Sequence, residues 1–247
     1  MKKILISVVF FGTTLLLAYN TNFNLAEKAK ARGDYKSALR YSLKQLDDDL
    51  KENGRLSKDV AIDYATLGYY ASKIGEYDKA LEYNFEALMI EKRMLGKNHP
   101  SRAITYNNIG GVYRNQGKYK EALDHYFKAL KISEKTFGKK HISVATTYSN
   151  IGLVYKNLGK YDESLDYYFK ALKIQEQVLG KEHLSTAKTC NNIGLVYYKQ
   201  GKHDKALNEL DKTLKIQEKV LGKEHPSTKR TQKNIKYLKN EMAKNSK

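Results

Sequence analysis

The chain has 247 residues, with 45 Lys+Arg against 27 Asp+Glu and a formal net charge of +18. Such a basic balance suits acidic partners, anionic membrane surfaces or nucleic acid, although lysines spread over solvated helix faces give the same total and leave the fold open. Cys190 is the single cysteine, which excludes an intramolecular disulfide but leaves the redox compartment open.

At the amino terminus, Lys2 and Lys3 precede a stretch without charge from Ile4 to Ala18. A short positive stretch followed by an apolar run is the layout of a secretory signal. Ala18 suits the last position before a cut, whereas Leu16 is bulky where a small side chain is preferred. The run is also shorter than the roughly 20 apolar residues of a spanning helix. Residues 1–19 are therefore expected to be a signal peptide or an N-terminal membrane anchor. That makes the chain exported, periplasmic or secreted, or held at the membrane; a buried first helix is the competing structural reading.

Beyond the leader, glycines recur every 42 residues. One ladder is Gly33, Gly75, Gly117, Gly159 and Gly201; a second is Gly54, Gly96, Gly138, Gly180 and Gly222; a third is Gly68, Gly110, Gly152 and Gly194. A period between 20 and 50 residues signals a repeat array, in which each unit buries its apolar face against its neighbours. The expected units are a degraded repeat over 20–58, with Asn24, Leu25 and Ala26 where Asn108, Ile109 and Gly110 stand later, then repeats over 59–100, 101–142, 143–184 and 185–226. Residues 227–247 supply a lone C-terminal capping helix.

Within one unit, Ala103, Tyr106, Ile109, Gly110 and Tyr113 follow a spacing of three and four, which predicts a helix A over about 101–115. A second such pattern from Tyr119 through Ile132 predicts a helix B ending near Gly138. Glycines of the first two ladders close these helices. Pro100 and Pro226 fit the first turn of a helix, and Ser101, Ser143, Ser185 and Ser227 just beyond can cap or solvate its start. The third ladder lies inside helix A, where glycine costs about 1 kcal/mol relative to alanine. A close crossing onto helix B, facing Ala80, Ala122, Ser164 and Ala206, would offset that cost.

These columns, small at Gly110, Ala122 and Ala129 and large at Tyr106, Ile109, Tyr113 and Tyr126, resemble the tetratricopeptide repeat, whose usual unit is about 34 residues. The longer unit, with segments such as EKRMLGKNHP and LGKEHPST, looks most like the arrays of kinesin light chains and their bacterial relatives. The resemblance implies an all-α fold, a right-handed α-solenoid of tetratricopeptide helix-turn-helix repeats over about residues 20–240. It is specific for fold and leaves the partner open.

Catalysis finds little support in the residues. His99, His141, His183 and His225 recur once per repeat, too far apart to share one ion, since packed helices lie about 8–10 Å apart and zinc holds its nitrogens at about 2 Å. They are expected to fix the helix-to-helix junctions, and His203 replaces the packing tyrosines Tyr77, Tyr119 and Tyr161. Cys190 shares a column with Tyr64, Tyr106 and Tyr148 and is expected to be a packed apolar residue. Phosphate-loop, nucleophile-elbow and H-E-x-x-H motifs are missing from the sequence. No enzyme activity, no cofactor, no metal and no small-molecule substrate are expected.

The face of helix A beside its buried stripe is the candidate surface. It carries Asn107, Asn108, Arg114 and Asn115 in one unit, then Asn150, Lys156 and Asn157, then Asn191, Asn192 and Lys199, with Asn234 in the last helix. An amide side chain both donates and accepts, so a row of them can hold an extended peptide backbone whatever its sequence. The same amides could instead tie neighbouring helices together. By resemblance to kinesin light chain-like arrays, Asn108, Asn150, Asn192 and Asn234 would line a concave groove. Arg114, Lys156 and Lys199 would favour an acidic segment of a protein partner. Electrostatic binding of an anionic surface or nucleic acid is the alternative, with nucleic acid disfavoured by the exported leader and membrane association possible through it.

Overall fold

A computed structural model describes residues 21–245, and every element in that span is helical. The leader over 1–19 lies outside the described residues. After α1 (21–31) come α2 (Tyr35–Asn53), α3 (Lys58–Lys73), α4 (Tyr77–Met94) and α5 (Pro100–Asn115). Then follow α6 (Tyr119–Phe137), α7 (Ile142–Asn157), α8 (Tyr161–Val178), α9 (Leu184–Lys199), α10 (His203–Leu221) and α11 (Pro226–Asn245). The chain divides into two compact units, one ending at His125 and the other beginning at Tyr126.

In the first unit, α2 packs on α3, α3 on α4 and α4 on α5, with a further contact between α3 and α5. Odd-numbered helices therefore touch their equivalents one repeat away. The core holds Leu46, Val60, Leu67 and Ile90, with a second cluster of Ala71, Ala80 and Val112. In the second unit the same layering joins α7 to α8, α8 to α9, α9 to α10, α10 to α11, and α7 to α9. Its core runs from Val144 and Ile174 through Tyr168, Ile193 and Val196 to Leu210 and Leu238.

Backbone chemistry explains the turns. Gly159 takes φ +74°, and the Lys160 N–H then bonds to the Tyr155 carbonyl at 2.9 Å, which satisfies an acceptor left open at the end of α7. The equivalent bond at α5 runs from Lys118 N–H to the Tyr113 carbonyl, also 2.9 Å. Glycine adopts this left-handed region without the steric penalty of a β-carbon.

The third ladder packs as its position inside helix A requires. A β-carbon on Gly152 would lie 3.1 Å from the Tyr168 ring and 3.2 Å from the Ser164 carbonyl; on Gly194 it would meet the Ala206 carbonyl at 3.3 Å. Ser164 and Ala206 are among the small residues expected to face this crossing. At Gly68 the neighbour is different, because the Asn84 side chain fills the gap and its Nδ2 bonds to the Ala80 carbonyl at 2.7 Å.

Candidate functional site

In the first unit, α5 carries Asn107, Asn108 and Arg114 half-buried and Asn115 exposed. Asn107 Nδ2 donates to the Ala103 carbonyl of its own helix at 3.0 Å, and Asn108 Nδ2 donates to the Ala65 carbonyl of α3 at 3.4 Å. Asn108 thus ties two equivalent helices together, and its Oδ1 stays available as an acceptor. The Arg114 guanidinium donates to Asn115 Oδ1 at 2.9 Å.

In the second unit, α7 carries half-buried Asn150 and Lys156 and exposed Asn157; α9 carries half-buried Asn191 and Asn192 and exposed Lys199. Asn150 and Lys156 both engage neighbouring groups. Because α7 and α9 pack directly, their amides and lysines belong to one pair of adjacent helices. Asn234 is half-buried on α11, beyond α10.

The histidines prove to be caps. His99, His141 and His183 are the N-cap residues of α5, α7 and α9, and their Nδ1 atoms accept the N–H of Ser101, Ser143 and Ser185 at 3.3, 3.1 and 3.0 Å. His225 Nδ1 accepts the Ser227 N–H at 3.2 Å in the same way. The serines, which could cap or solvate these starts, contribute their backbone N–H as the donor. An imidazole that accepts at Nδ1 carries its hydrogen on Nε2 and satisfies one orphan amide of the helix start. Among the described residues no group of three or more His, Cys, Asp or Glu is arranged to hold a metal ion.

Other singled-out side chains are packed. His203 stacks on Tyr198 with ring centroids 5.8 Å apart. Cys190 is buried, and burial pushes its thiol up to about 12, far from the range of a reactive thiolate.

Asn108 also borders a hollow in the first unit. A cavity of about 420 Å³ opens beside α1, α3 and α5, walled by Ile62, Tyr69, Tyr70 and Ile104, with Glu91 among its lining residues. Ile62 and Ile104 stay 48% and 62% exposed there. The signal was present in the repeat column, where these two isoleucines are followed by Thr146, Lys188 and Arg230. Among the described residues no helix is long and apolar enough to cross a membrane.

Comparisons with known proteins follow the same lines. The tetratricopeptide repeat model matches residues 75–135, 101–177, 143–216 and 186–246. Among solved structures, BtubC (BKLC) from P. vanneervenii superposes with a TM-score of 0.66 at 22% identity, covering 91% of this chain and 82% of its own. A putative kinesin light chain from Podosopora anserina with nearly identical repeats gives a TM-score of 0.65 at 20% identity, covering 82% of this chain and 95% of its own. Aspartyl phosphate phosphatase F from Bacillus subtilis gives a TM-score of 0.71 at 20% identity, covering 93% of this chain and 62% of its own. At these identities the likeness speaks to fold alone. No curated protein matches the chain in sequence. With the family model spanning residues 75 to 246, the chain belongs to the tetratricopeptide repeat family.

Proposed function

We propose that the chain is a non-catalytic scaffold that holds an extended, acidic peptide segment of a protein partner on its A helices, chiefly α7 and α9. Membership of a repeat family built for protein contacts supports the scaffold reading, as does the fold likeness to a Rap protein complexed with competence and sporulation factor (TM-score 0.70). The observation that carries the finer reading is the set of half-buried Asn150, Asn191 and Asn192 beside Lys156 and Lys199 on two directly packed helices. Amides bridge a peptide backbone, and the lysines attract carboxylates along it. Asn107, Asn108, Arg114, Asn115, Asn157 and Asn234 extend the same chemistry to their own helices. Export or membrane anchoring through residues 1–19 is part of the proposal, and cell fractionation tests it.

The test begins with affinity capture from the native cell and continues with the captured partner purified. An Asn150→Ala/Asn192→Ala double variant should bind it about 10-fold or more weakly, since each lost hydrogen bond is worth about 1 kcal/mol. Undiminished affinity would remove the α7–α9 face from the proposal. The net charge of +18 favours a second reading, electrostatic binding of an anionic surface. In that case affinity falls linearly with the logarithm of salt concentration and the double variant behaves like the parent.

A further inference from the structure

The junction between α2 and α3 departs from every later junction of the chain. At two later junctions a threonine on the odd helix donates to a polar residue on the even one: Thr105 to Glu91 Oε1 at 3.0 Å, and Thr231 to Gln217 Oε1 at 2.7 Å. The threonine column continues through Thr147 and Thr189. At the first junction that column holds Asp63, and its partner is Asp49. The threonine hydroxyl has been replaced by a carboxyl that faces another carboxyl.

Two more substitutions in the repeat columns open space beside this pair. Ser42 stands where Tyr126 and Tyr168 stand later, and Gln45 where Ala87, Ala129 and Ala171 stand. The result is a cavity of about 110 Å³ among α1, α2 and α3. Both Gln45 and Asp63 line it. Gln45 is 4% exposed and spends its Nε2 on Asp49 Oδ2 at 3.0 Å, while its Oε1 is buried without a partner. Asp63 Oδ2 is likewise buried without a partner. Asp49 itself is 1% exposed and also accepts from Asn53 Nδ2 at 3.3 Å.

The cavity therefore presents acceptors that lack donors. Asp59, at a column held later by serines, and Glu27 complete an acidic lining. Tyr70 faces the cavity too, and its hydroxyl donates to Glu27 at 3.3 Å; Lys30 on α1 is paired with the same Glu27 at 2.9 Å. Without a cation beside it, burial, and next the contact with Asp49, push the Asp63 carboxyl up to about 9, so it holds its proton at neutral pH. A cation with several N–H donors would supply the donors that Gln45 Oε1 and Asp63 Oδ2 lack, and its charge would favour the ionised form of Asp63.

We propose that the cavity formed by Ser42, Gln45, Asp59 and Asp63 is a socket for the lysine or arginine side chain of a bound partner. The mouth argues for a side chain over a free ion. Phe23 and Ile62 line the cavity while 57% and 48% exposed, and they offer apolar surface for an aliphatic stem with a charged head. The assignment rests on the peptide-binding reading and adds to it that the partner carries a basic residue as well as acidic ones.

Small probes separate this inference from the reading beneath it. N-acetyl-arginine methylamide, and its neutral citrulline counterpart of nearly the same shape, are titrated into the full chain while backbone amides are followed by NMR. Saturable shifts at Gln45, Asp59 and Asp63, with citrulline binding at least fivefold weaker, are the expected result. Asp63→Asn should weaken the arginine probe at least fivefold with the helical circular dichroism intact, whereas Asn150→Ala/Asn192→Ala should leave its binding unchanged. Equal binding of both probes, undiminished binding to Asp63→Asn, or no saturable shift in those residues would overturn the socket. Arginine binding that emerges only after Lys2→Ala/Lys3→Ala would overturn the partner as occupant in favour of the chain's own leader.

Discussion

The two compact units fill the same repeat columns with opposite chemistry. Behind Gly152 and Gly194 in the second unit stand the Tyr168 ring and Leu210, both large and buried. In the first unit Asn84 stands behind Gly68, and Ser42 occupies the same column one repeat earlier. Both units keep the same turns and the same helix-on-helix layering. Glycine turns and small residues at the crossings thus set the repeat, while the residues between them are free to vary. A site can arise wherever a column gives up its large apolar residue, as at Ser42.

The sharpest way to break the second unit is Gly152→Leu. Its β-carbon alone would press on the Tyr168 ring at 3.1 Å and on the Ser164 backbone at 3.2 Å, and Tyr168 is fully buried. Overpacking of this kind costs about 3 kcal/mol, more than the roughly 1 kcal/mol gained by removing a helical glycine. Urea unfolding should show a clearly lower midpoint. Cys190 on α9 reports the same change chemically: its buried thiol should resist a disulfide reagent in the parent chain and react faster in the variant. An unchanged midpoint would remove the close crossing as the reason for the third glycine ladder.

Converting the first junction to the pattern of the others should have the next largest effect. Asp63→Thr keeps a hydroxyl donor facing Asp49 and removes a carboxyl held at about 9 in the folded chain against 3.8 as its ordinary value. The sign follows from proton linkage. Below the unfolded value both states carry the proton, so Asp63 imposes no penalty. As pH rises from about 4 towards 9 the unfolded chain loses that proton first, and the folded chain is progressively disfavoured. The variant should therefore exceed the parent in stability on the order of 2 kcal/mol at pH 7, allowing for solvent screening of a half-buried group, with the difference shrinking towards pH 4. Unfolding curves at pH 4.5 and pH 7.5 measure it, and a pH-independent difference would sink the carboxyl-pair account.

The repeat was legible because glycine reports geometry directly: ten positions at positive φ and a third ladder inside helix A mark turns and crossings without reference to neighbours. The polar hollow of the first unit was not, because it depends on absences. Ser42 reads as an ordinary surface serine until the Tyr126 and Tyr168 column shows what is missing there. Asp63 reads as a solvated helix acid until the fold places it against Asp49. The asparagine rows were visible by spacing, but spacing alone could not show that Asn108 spends its amide on the Ala65 carbonyl. Capping by histidine was hidden for a related reason. The serine two residues on is the more familiar capping type, and only coordinates show which group donates.

That last point supports the mildest prediction. His183 is exposed, so its Nδ1 bond to the Ser185 N–H at 3.0 Å acts chiefly as a cap on α9. His183→Ala should lower stability by about 1 kcal/mol, the usual worth of an N-cap side chain, and His183→Asn should recover most of it because asparagine caps well. Thermal unfolding of the three chains side by side decides the matter. At His141 the same substitutions should separate, since that imidazole also stacks on Phe137 with centroids 4.2 Å apart, and asparagine restores the cap without the ring. Equal recovery at both positions would mean that the stack contributes nothing and that capping alone explains the histidine at every junction.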